Sequence, residues 1–322
     1  MNQREALNQW TTIVADTGDI EAIREHKPED ATTNPSLILA ATENPEYRWL
    51  IDSALEFGSK HGDTLDEKVS NALDKVLVNF GAEILKIVPG RVSTEVDANL
   101  SFDVQGTVDK AHRIIALYEE LGISRERILI KIASTWEGIQ AAQLLEAEGI
   151  HINMTLMFSL AQAVMAAEAG ATLISPFVGR ILDWYKKAEG VDGYPASQDP
   201  GVLSVQRIYS YYKTFDYPTQ IMGASFRNKG EILELAGCDL LTISPKLLSE
   251  LEGSEEPVAR KLEPSKAKDP TLRRRVYSEN EFRWAMNEDA MAIEKLSDGI
   301  RRFSADLRKL ERQLAEALQA IA

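Results

Sequence analysis

The run Ile128-Leu-Ile-Lys-Ile-Ala-Ser-Thr135, ILIKIAST, sets a lysine in the middle of aliphatic and β-branched residues. A strand this apolar is covered on both sides, the habit of a parallel sheet lying under helices. Lysine is almost never fully buried unless it is paired or at work. Lys131 therefore either snorkels to a sheet edge or is held inside for chemistry.

Working outward, short apolar strands alternate with helical patterns from residue 11 to about residue 250. The spacing predicts strands at Thr12–Asp16, Asp30–Thr33, Val92–Asp97, Ile128–Ala133, His151–Thr155, Thr172–Ser175, Gln220–Ala224 and Leu240–Ile243. Amphipathic stretches such as Val108–Leu121 and Trp136–Glu148 lie between them. Alternation of this kind gives a parallel sheet. Eight units in about 250 residues is the usual size of a (β/α)8, or TIM, barrel. The rival is a doubly wound nucleotide fold. Against it, no G-x-G-x-x-G follows any strand and no G-x-x-x-x-G-K-[ST] occurs.

Glu83–Val88 (EILKIV) looks like a further strand and carries a second candidate lysine, Lys86. However, Val69, Leu73, Val76, Phe80, Ile84 and Ile87 recur at steps of three and four, which is helix periodicity from about Glu67 to Val88. Pro89-Gly90 stops that helix, and Lys86 becomes a helix-surface residue. Beyond residue 250 the chain changes character. Leu251–Leu272 reads as a loop-rich connection, and from about Asn280 the chain is helical. There Ile293, Leu296, Ile300, Phe303, Leu307, Leu310, Leu314 and Ile321 follow a near-heptad spacing. That stripe fits either a helix packed on the barrel wall or a dimer contact. The expectation is one barrel domain over residues 1–322, with 251–322 a loop and helical extension packed on it.

Composition bounds the partners. With 36 basic and 50 acidic residues, the formal charge is −14. No basic block offers itself to nucleic acid, so an anionic substrate would need local arginines. A single cysteine, Cys238, excludes an intrachain disulfide and a cysteine-based zinc site. The start, MNQREALNQW, has no signal-peptide core, and no stretch approaches a membrane span. The expected setting is the cytoplasm.

In a barrel, alternate strand residues point inward and active sites lie at the C-terminal strand ends. An inward Lys131 carries Leu129 and Ala133 with it. At the other strand ends stand Asp16, Asn34, Glu95, Asn153 with Thr155, Ser175, and Ser225 with Arg227. Each alone has a plain structural reading; Asp16, for example, fits a turn or a helix cap. Convergence on one cup around Lys131 is what gives them weight. The four histidines, His26, His61, His112 and His151, form no metal-ligand pattern, and His151 lies at the stability end of its strand. A lysine with two carboxylates, amides and hydroxyls suggests imine chemistry. The attacking amine must be neutral, so a free pKa of about 10.4 has to fall to about 7–8. Burial drives it that way, and nearby carboxylates oppose it. The arrangement expected is therefore a lysine with its carboxylates one water away, not salt-bridged.

These residues fall within longer matches. VADTGDI (14–20), DATTNPSLIL (30–39), LKIVPGRVSTEVDA (85–98), RILIKIASTWEGIQAA (127–142), INMTLMFS (152–159), LISPFVGRILDWY (173–185), DPGVLSVQRIY (199–209), MGASFRN (222–228) and LAGCDLLTISP (235–245) occur in order over most of the chain. The chain closely resembles the long bacterial and eukaryotic transaldolases, with no departure at a position that family uses. The resemblance implies a Schiff-base enzyme of the pentose phosphate pathway that needs no cofactor or metal. Such an enzyme moves a dihydroxyacetone unit from sedoheptulose 7-phosphate or fructose 6-phosphate to glyceraldehyde 3-phosphate or erythrose 4-phosphate. It implies Lys131 as the imine-forming lysine, Asp16 as acid/base at the donor's C4 hydroxyl, and Glu95 with Thr155 as holders of a proton-shuttling water. Asn34, Asn153 and Ser175 would orient hydroxyls, Phe177 would line the cup, and Arg180, Ser225 and Arg227 would bind phosphate. A homodimer through the C-terminal helical region is also expected, with sugar phosphates as the only other partners. The rivals are an aldolase that releases free dihydroxyacetone and a non-catalytic sugar-phosphate-binding barrel.

Overall fold

The computed structural model describes residues 1–321. Eight parallel strands close into a barrel in sequence order: β1 (Thr12–Asp16), β2 (Asp30–Thr32), β3 (Val92–Glu95), β4 (Ile128–Ala133), β5 (Ile152–Met157), β6 (Leu173–Pro176), β7 (Gln220–Gly223) and β8 (Leu240–Ile243). Helices α1 (Gln3–Leu7), α2 (Ile20–His26), α3 (Pro35–Thr42), α4 (Arg48–Lys60), α5 (Leu65–Leu85), α6 (Val104–Glu120), α7 (Trp136–Ala147) and α8 (Leu160–Glu168) cover the first half. α9 (Val178–Glu189), α10 (Pro200–Thr214), α11 (Lys229–Leu233), α12 (Pro245–Glu252), α13 (Pro264–Ala267), α14 (Glu279–Glu288) and α15 (Ala290–Ile321) follow. The (β/α)8 reading of the sequence holds, and every strand lies where its apolar run predicts, to within two residues at each end.

Strand parity explains the two cores. Val14, Leu129, Leu173, Met222 and Leu240 form a separate buried cluster, the layer that fills the barrel interior. Ile130 and Ile132, of opposite parity to Leu129, belong to the larger core between sheet and helices. Lys131 is two residues beyond Leu129 on β4, so it stands on the interior layer and points into the C-terminal end of the barrel. Lys86, by contrast, caps the end of α5 and pairs with Glu83 at the surface, 2.5 Å away. Glu83–Leu85 of EILKIV do close a helix and not a strand, but α5 ends three residues short of the expected Val88; it begins two residues earlier than expected because Thr64 and Glu67 form a capping box. His151 lies just before β5 and is held by Thr172 and Glu126, a structural place.

The C-terminal stripe is consumed by the chain itself. α15 is about 48 Å long for its 32 residues. Leu296, Ile300, Phe303, Leu307, Leu310 and Leu314 are buried, and the helix packs on α5, α3, α9 and β5. Ile321 falls off the stripe and is exposed. Polar pins fix the crossing: Ser36 donates to Asp306 at 2.5 Å, Ser304 donates to Asn99 at 2.7 Å, and Arg308 pairs with Asp97. The helix reaches the barrel mouth at Gly299, where a Cβ would lie only 2.5 Å from Leu156. Leu156 itself sits at the register irregularity of β5, with φ 51°. Leu310→Ala should therefore cost about 2–5 kcal/mol, as a truncated core residue does. Denaturant titrations should give the same loss at every protein concentration, because the pocket emptied lies within one chain.

Candidate active site

Pairing in register puts the first three groups together. Lys131 is opposite Glu95 on β3 and Asn153 on β5. Lys131 is only 4% exposed. Its Nζ donates to the carbonyl of Thr33 at 3.1 Å and lies 3.3 Å from Glu95 Oε2. For Glu95 this corrects the expectation of carboxylates one water away, whereas Asp16 makes no ion pair with Lys131 among the described residues. Direct register pairing, with both residues facing inward, leaves no room between Lys131 and Glu95. The contact is at ion-pair distance but lacks hydrogen-bond alignment, so Glu95 Oε2 has no hydrogen-bond partner. Thr155 Oγ1, fully buried on β5, is likewise unpartnered. Buried polar atoms seldom stay so, and these two are free to receive a donor or give a proton.

Asp16 ends β1 and accepts from Thr32 Oγ1 at 3.1 Å; Thr32 in turn meets the hydroxyl of Thr242 at 2.7 Å. Burial raises the pKa of Asp16, with Lys131, Thr32 and Arg180 opposing. Burial raises Glu95 as well, against the pull of Lys131 and Arg180. Both carboxyls are thus more basic than free ones, the direction a general base needs. Asn153 donates to Ser93 Oγ at 3.0 Å and accepts from Ser175. Asn34 caps α3 through its oxygen, which accepts from Leu37 N at 2.9 Å, and this leaves its amide N–H groups free to face the cup.

A cavity of ≈150 Å³ opens above Lys131. Asp16, Asn34, Lys131, Ser175, Phe177, Arg180 and Ser225 line it together with Thr32, Met222, Ala224, Thr242 and Phe303. Glu95, Asn153 and Thr155 are buried residues outside that lining. A wider groove of ≈670 Å³ runs between α9 and α15, but it holds none of the inward strand-end groups.

Three guanidinium groups gather at the rim. Arg180 is sandwiched between the rings of Phe177 and Phe303, 5.0 and 5.4 Å from their centres. Its Nη1 is buried and unpartnered. Burial lowers its pKa, and the charges of Arg302 and Arg227 lower it further. Mutual repulsion of this kind is relieved by an anion. Arg227 is held apart from the lining, on Asp183 at 2.7 Å and near Ser225 Oγ at 3.4 Å. Ser225 takes φ 62°, rare for a residue with a side chain. α11 has only five residues, and Glu231 and Asn228 already take the N–H groups of Arg227, Asn228 and Glu231 at its start. The sequence reading missed Thr32, Met222, Ala224 and Thr242 of the lining, and with them Phe303 and the nearby Arg302. The last two arrive on α15, and the Arg301-Arg302-Phe303 step within the stripe was the one available sign of them.

A parallel barrel with a buried lysine, two carboxyls of raised pKa and a cationic rim at its C-terminal mouth has the makings of an enzyme site: an amine, two proton acceptors and a place for an anion. The family model for transaldolase/fructose-6-phosphate aldolase matches residues 13–314, and the chain belongs to that family. A protein of Shewanella amazonensis named transaldolase is 61% identical, over 98% of this chain and 99% of its own. One of Rattus norvegicus with the same name is 59% identical, over 98% and 94%. A third, of Kluyveromyces lactis, is 61% identical over 99% and 96%.

Removal of the lysine charge has a pH signature. Lys131 is the principal group that lowers Asp16 and Glu95 against burial. In Lys131→Met both carboxyls should bind protons to still higher pH in the folded state. A raised folded pKa gives stability that is present below the unfolded value and lost as pH rises through the folded one. The melting temperature of the variant, relative to the parent, should therefore be higher at pH 5 than at pH 8. An equal difference at both pH values would contradict this.

Proposed function

We propose that this chain is a transaldolase working through an imine on Lys131, which passes a dihydroxyacetone unit from a ketose phosphate to an aldose phosphate. The observation that carries the reading is Lys131 itself, buried on the interior layer with Glu95 Oε2 at 3.3 Å and Asp16 lining the same cup. Proton transfer from the ammonium to Glu95 yields an amine that can attack C2 of the donor and an acid that can protonate the departing oxygen. Thr155 Oγ1, unpartnered, serves with Glu95 to hold the water that leaves and later returns. The iminium then takes up the electrons of the C3–C4 bond while Asp16 removes the C4 hydroxyl proton. The first aldose phosphate departs and leaves an enamine. That enamine attacks the aldehyde of the acceptor, Asp16 returns the proton, and water releases the new ketose phosphate. Asn34, Asn153 and Ser175 orient hydroxyls, Phe177 walls the cup, and Arg180, Ser225 and Arg227 hold the phosphate.

Sedoheptulose 7-phosphate or fructose 6-phosphate is the donor in this reading, and glyceraldehyde 3-phosphate or erythrose 4-phosphate the acceptor, within the pentose phosphate pathway. The aldolase alternative uses the same lysine and shares the family. It is less favoured because the relatives above, near 60% identical over almost the whole length, are all named transaldolase. Turnover of fructose 6-phosphate only when an acceptor is present supports transfer; free dihydroxyacetone would support the aldolase. We assign the cytoplasm on the family likeness. Residues 251–322 act as an extension of a single barrel domain, and the chain works as a homodimer. With the α15 stripe spent inside the chain, the C-terminal region offers its outer face and the exposed Trp284 of α14 for that contact. Sedimentation of the purified protein at micromolar concentration tests this.

Three outcomes follow from the assigned roles. Borohydride with fructose 6-phosphate should fix a three-carbon adduct on the peptide that holds Lys131; label on Lys86 would overturn the mechanism. Asp16→Ala should still form the imine but stall at bond cleavage, since loss of a general base costs about 10²–10⁴ in rate. Mass spectrometry should then find chiefly a six-carbon adduct, whereas Glu95→Gln should slow adduct formation itself. Arg227→Ala should weaken phosphorylated donors by about 1.5–3 kcal/mol and spare unphosphorylated ones. Equal losses on both would remove Arg227 from the phosphate site.

A further inference from the structure

Behind the loop that carries Ser225 and Arg227 lie two carboxyl groups for which the chemistry above has no use. Glu231, on α11, is completely buried, and Asp199, the N-cap of α10, is 2% exposed. One oxygen of Glu231, Oε2, accepts from the backbone N–H of Arg227 at 2.6 Å and of Asn228 at 3.4 Å. Its other oxygen, Oε1, is buried with no donor in reach. Asp199 accepts from the N–H of Gly201 at 2.7 Å and of Val202 at 3.3 Å. The two carboxyls lie within hydrogen-bonding reach of each other.

Two buried carboxylates in contact cannot both be ionised. A proton on Glu231 Oε1, donated to Asp199, satisfies the orphaned oxygen and removes the repulsion at once. We propose that Glu231 and Asp199 share one proton, and that this bridge positions the Arg227 loop of the phosphate site by fixing it to the start of α10. Glu231 is thus a positioning residue, acting through the Arg227 and Asn228 backbone, and the inference rests on the phosphate role given to Arg227 above. Because α10 packs along α9, the bridge also ties that loop to the helix whose first turn carries Arg180.

The surroundings agree. Burial raises both groups, Glu231 to about 7, with Asp199 adding to the rise. From α9, Asp183 raises Asp199 further. The Arg227 side chain is turned to Asp183. Lys229, at the start of α11, is turned to Gln3 and Glu256. On α12, which also packs on α11, Lys246 and Glu250 are exposed and Glu252 is paired with Arg4. The bridge is therefore intact in mildly acidic solution and lost as pH rises through about 7, when repulsion frees the loop.

The test compares KM for fructose 6-phosphate in the parent and in Glu231→Gln between pH 6 and 9. The Gln carbonyl can still accept from Arg227 N, and its amide donates to Asp199 at every pH. The ratio of parent to variant KM, in which titration of the substrate phosphate cancels, should rise about five- to tenfold across that range, the size of one hydrogen bond lost, while kcat stays level. Asp199→Asn should behave as Glu231→Gln does, and it replaces that variant if Gln is not tolerated. Infrared difference spectra at pH 6 should show one protonated carboxyl band in the parent that is missing from either variant. A flat ratio overturns the positioning role, and the absence of the band overturns the bridge. Titration with inorganic phosphate distinguishes the underlying reading. If Arg227→Ala binds it as the parent does, the phosphate site is misplaced, whereas the band still decides the bridge.

Discussion

Everything in this molecule answers to the cost of keeping Lys131 out of water. An ion moved from water into a protein interior loses several kcal/mol of effective solvation. The barrel's apolar interior layer of Val14, Leu129, Leu173, Met222 and Leu240 imposes the cost, and two features offset it: the Thr33 carbonyl accepts from the lysine Nζ, and the register sets Glu95 beside it. The same burial raises Glu95 and Asp16. The proposed imine chemistry needs a proton passed from the lysine to a carboxyl, and Glu95 is the carboxyl in reach. Burial and reactivity are thus one constraint seen twice, and the direct contact at 3.3 Å serves the chemistry better than a distant carboxylate would.

That constraint also explains why the mouth is built from so many elements. A rim of arginines placed on the barrel alone would lie open to water, where charge attracts weakly. α15 changes this. It crosses the mouth at Gly299 and brings Phe303 against Arg180, which closes an aromatic sandwich over a guanidinium with a free, buried N–H. Phe177 is the other ring, and it stands at the start of α9, directly after β6. Strand order, helix start and C-terminal helix therefore meet at one side chain.

How much of this the sequence discloses follows from what each signal measures. Apolar period reports burial, so the eight strands, the helical nature of EILKIV and the inward parity of Lys131 were all legible. Strand-end position reports which residues share a mouth, and Asp16, Asn34, Ser175 and Ser225 do line one cavity with Lys131, as do Phe177 and Arg180, which only the family resemblance implied. Distance was not legible. Whether Glu95 touches Lys131 depends on the β3–β4 register, which periodicity leaves free. Partnership across long separations was also hidden. The α15 stripe says only that one helix face is covered. It does not say that the cover is this chain's own barrel, nor that Phe303 on that face is a wall of the site. Likewise the contact of Glu231, the third residue of α11, with the N–H groups of Arg227 and Asn228 was hidden.

The occupied N–H groups of the loop after β7 bear on how the rim can work. Arg227 N and Asn228 N are already given to Glu231, which leaves the guanidinium groups as the charged partners for the phosphate of the proposed substrate. In this state one of those, on Arg227, leans on Asp183 at the edge of the cup. A phosphate dianion has three charged terminal oxygens to the two of Asp183, and its charge offsets the repulsion that Arg302 and Arg227 impose on Arg180. In the proposed reaction one sugar phosphate leaves and another enters, and Arg180 between its two rings and Arg227 on Asp183 are a buried and an exposed cation beside the same cup.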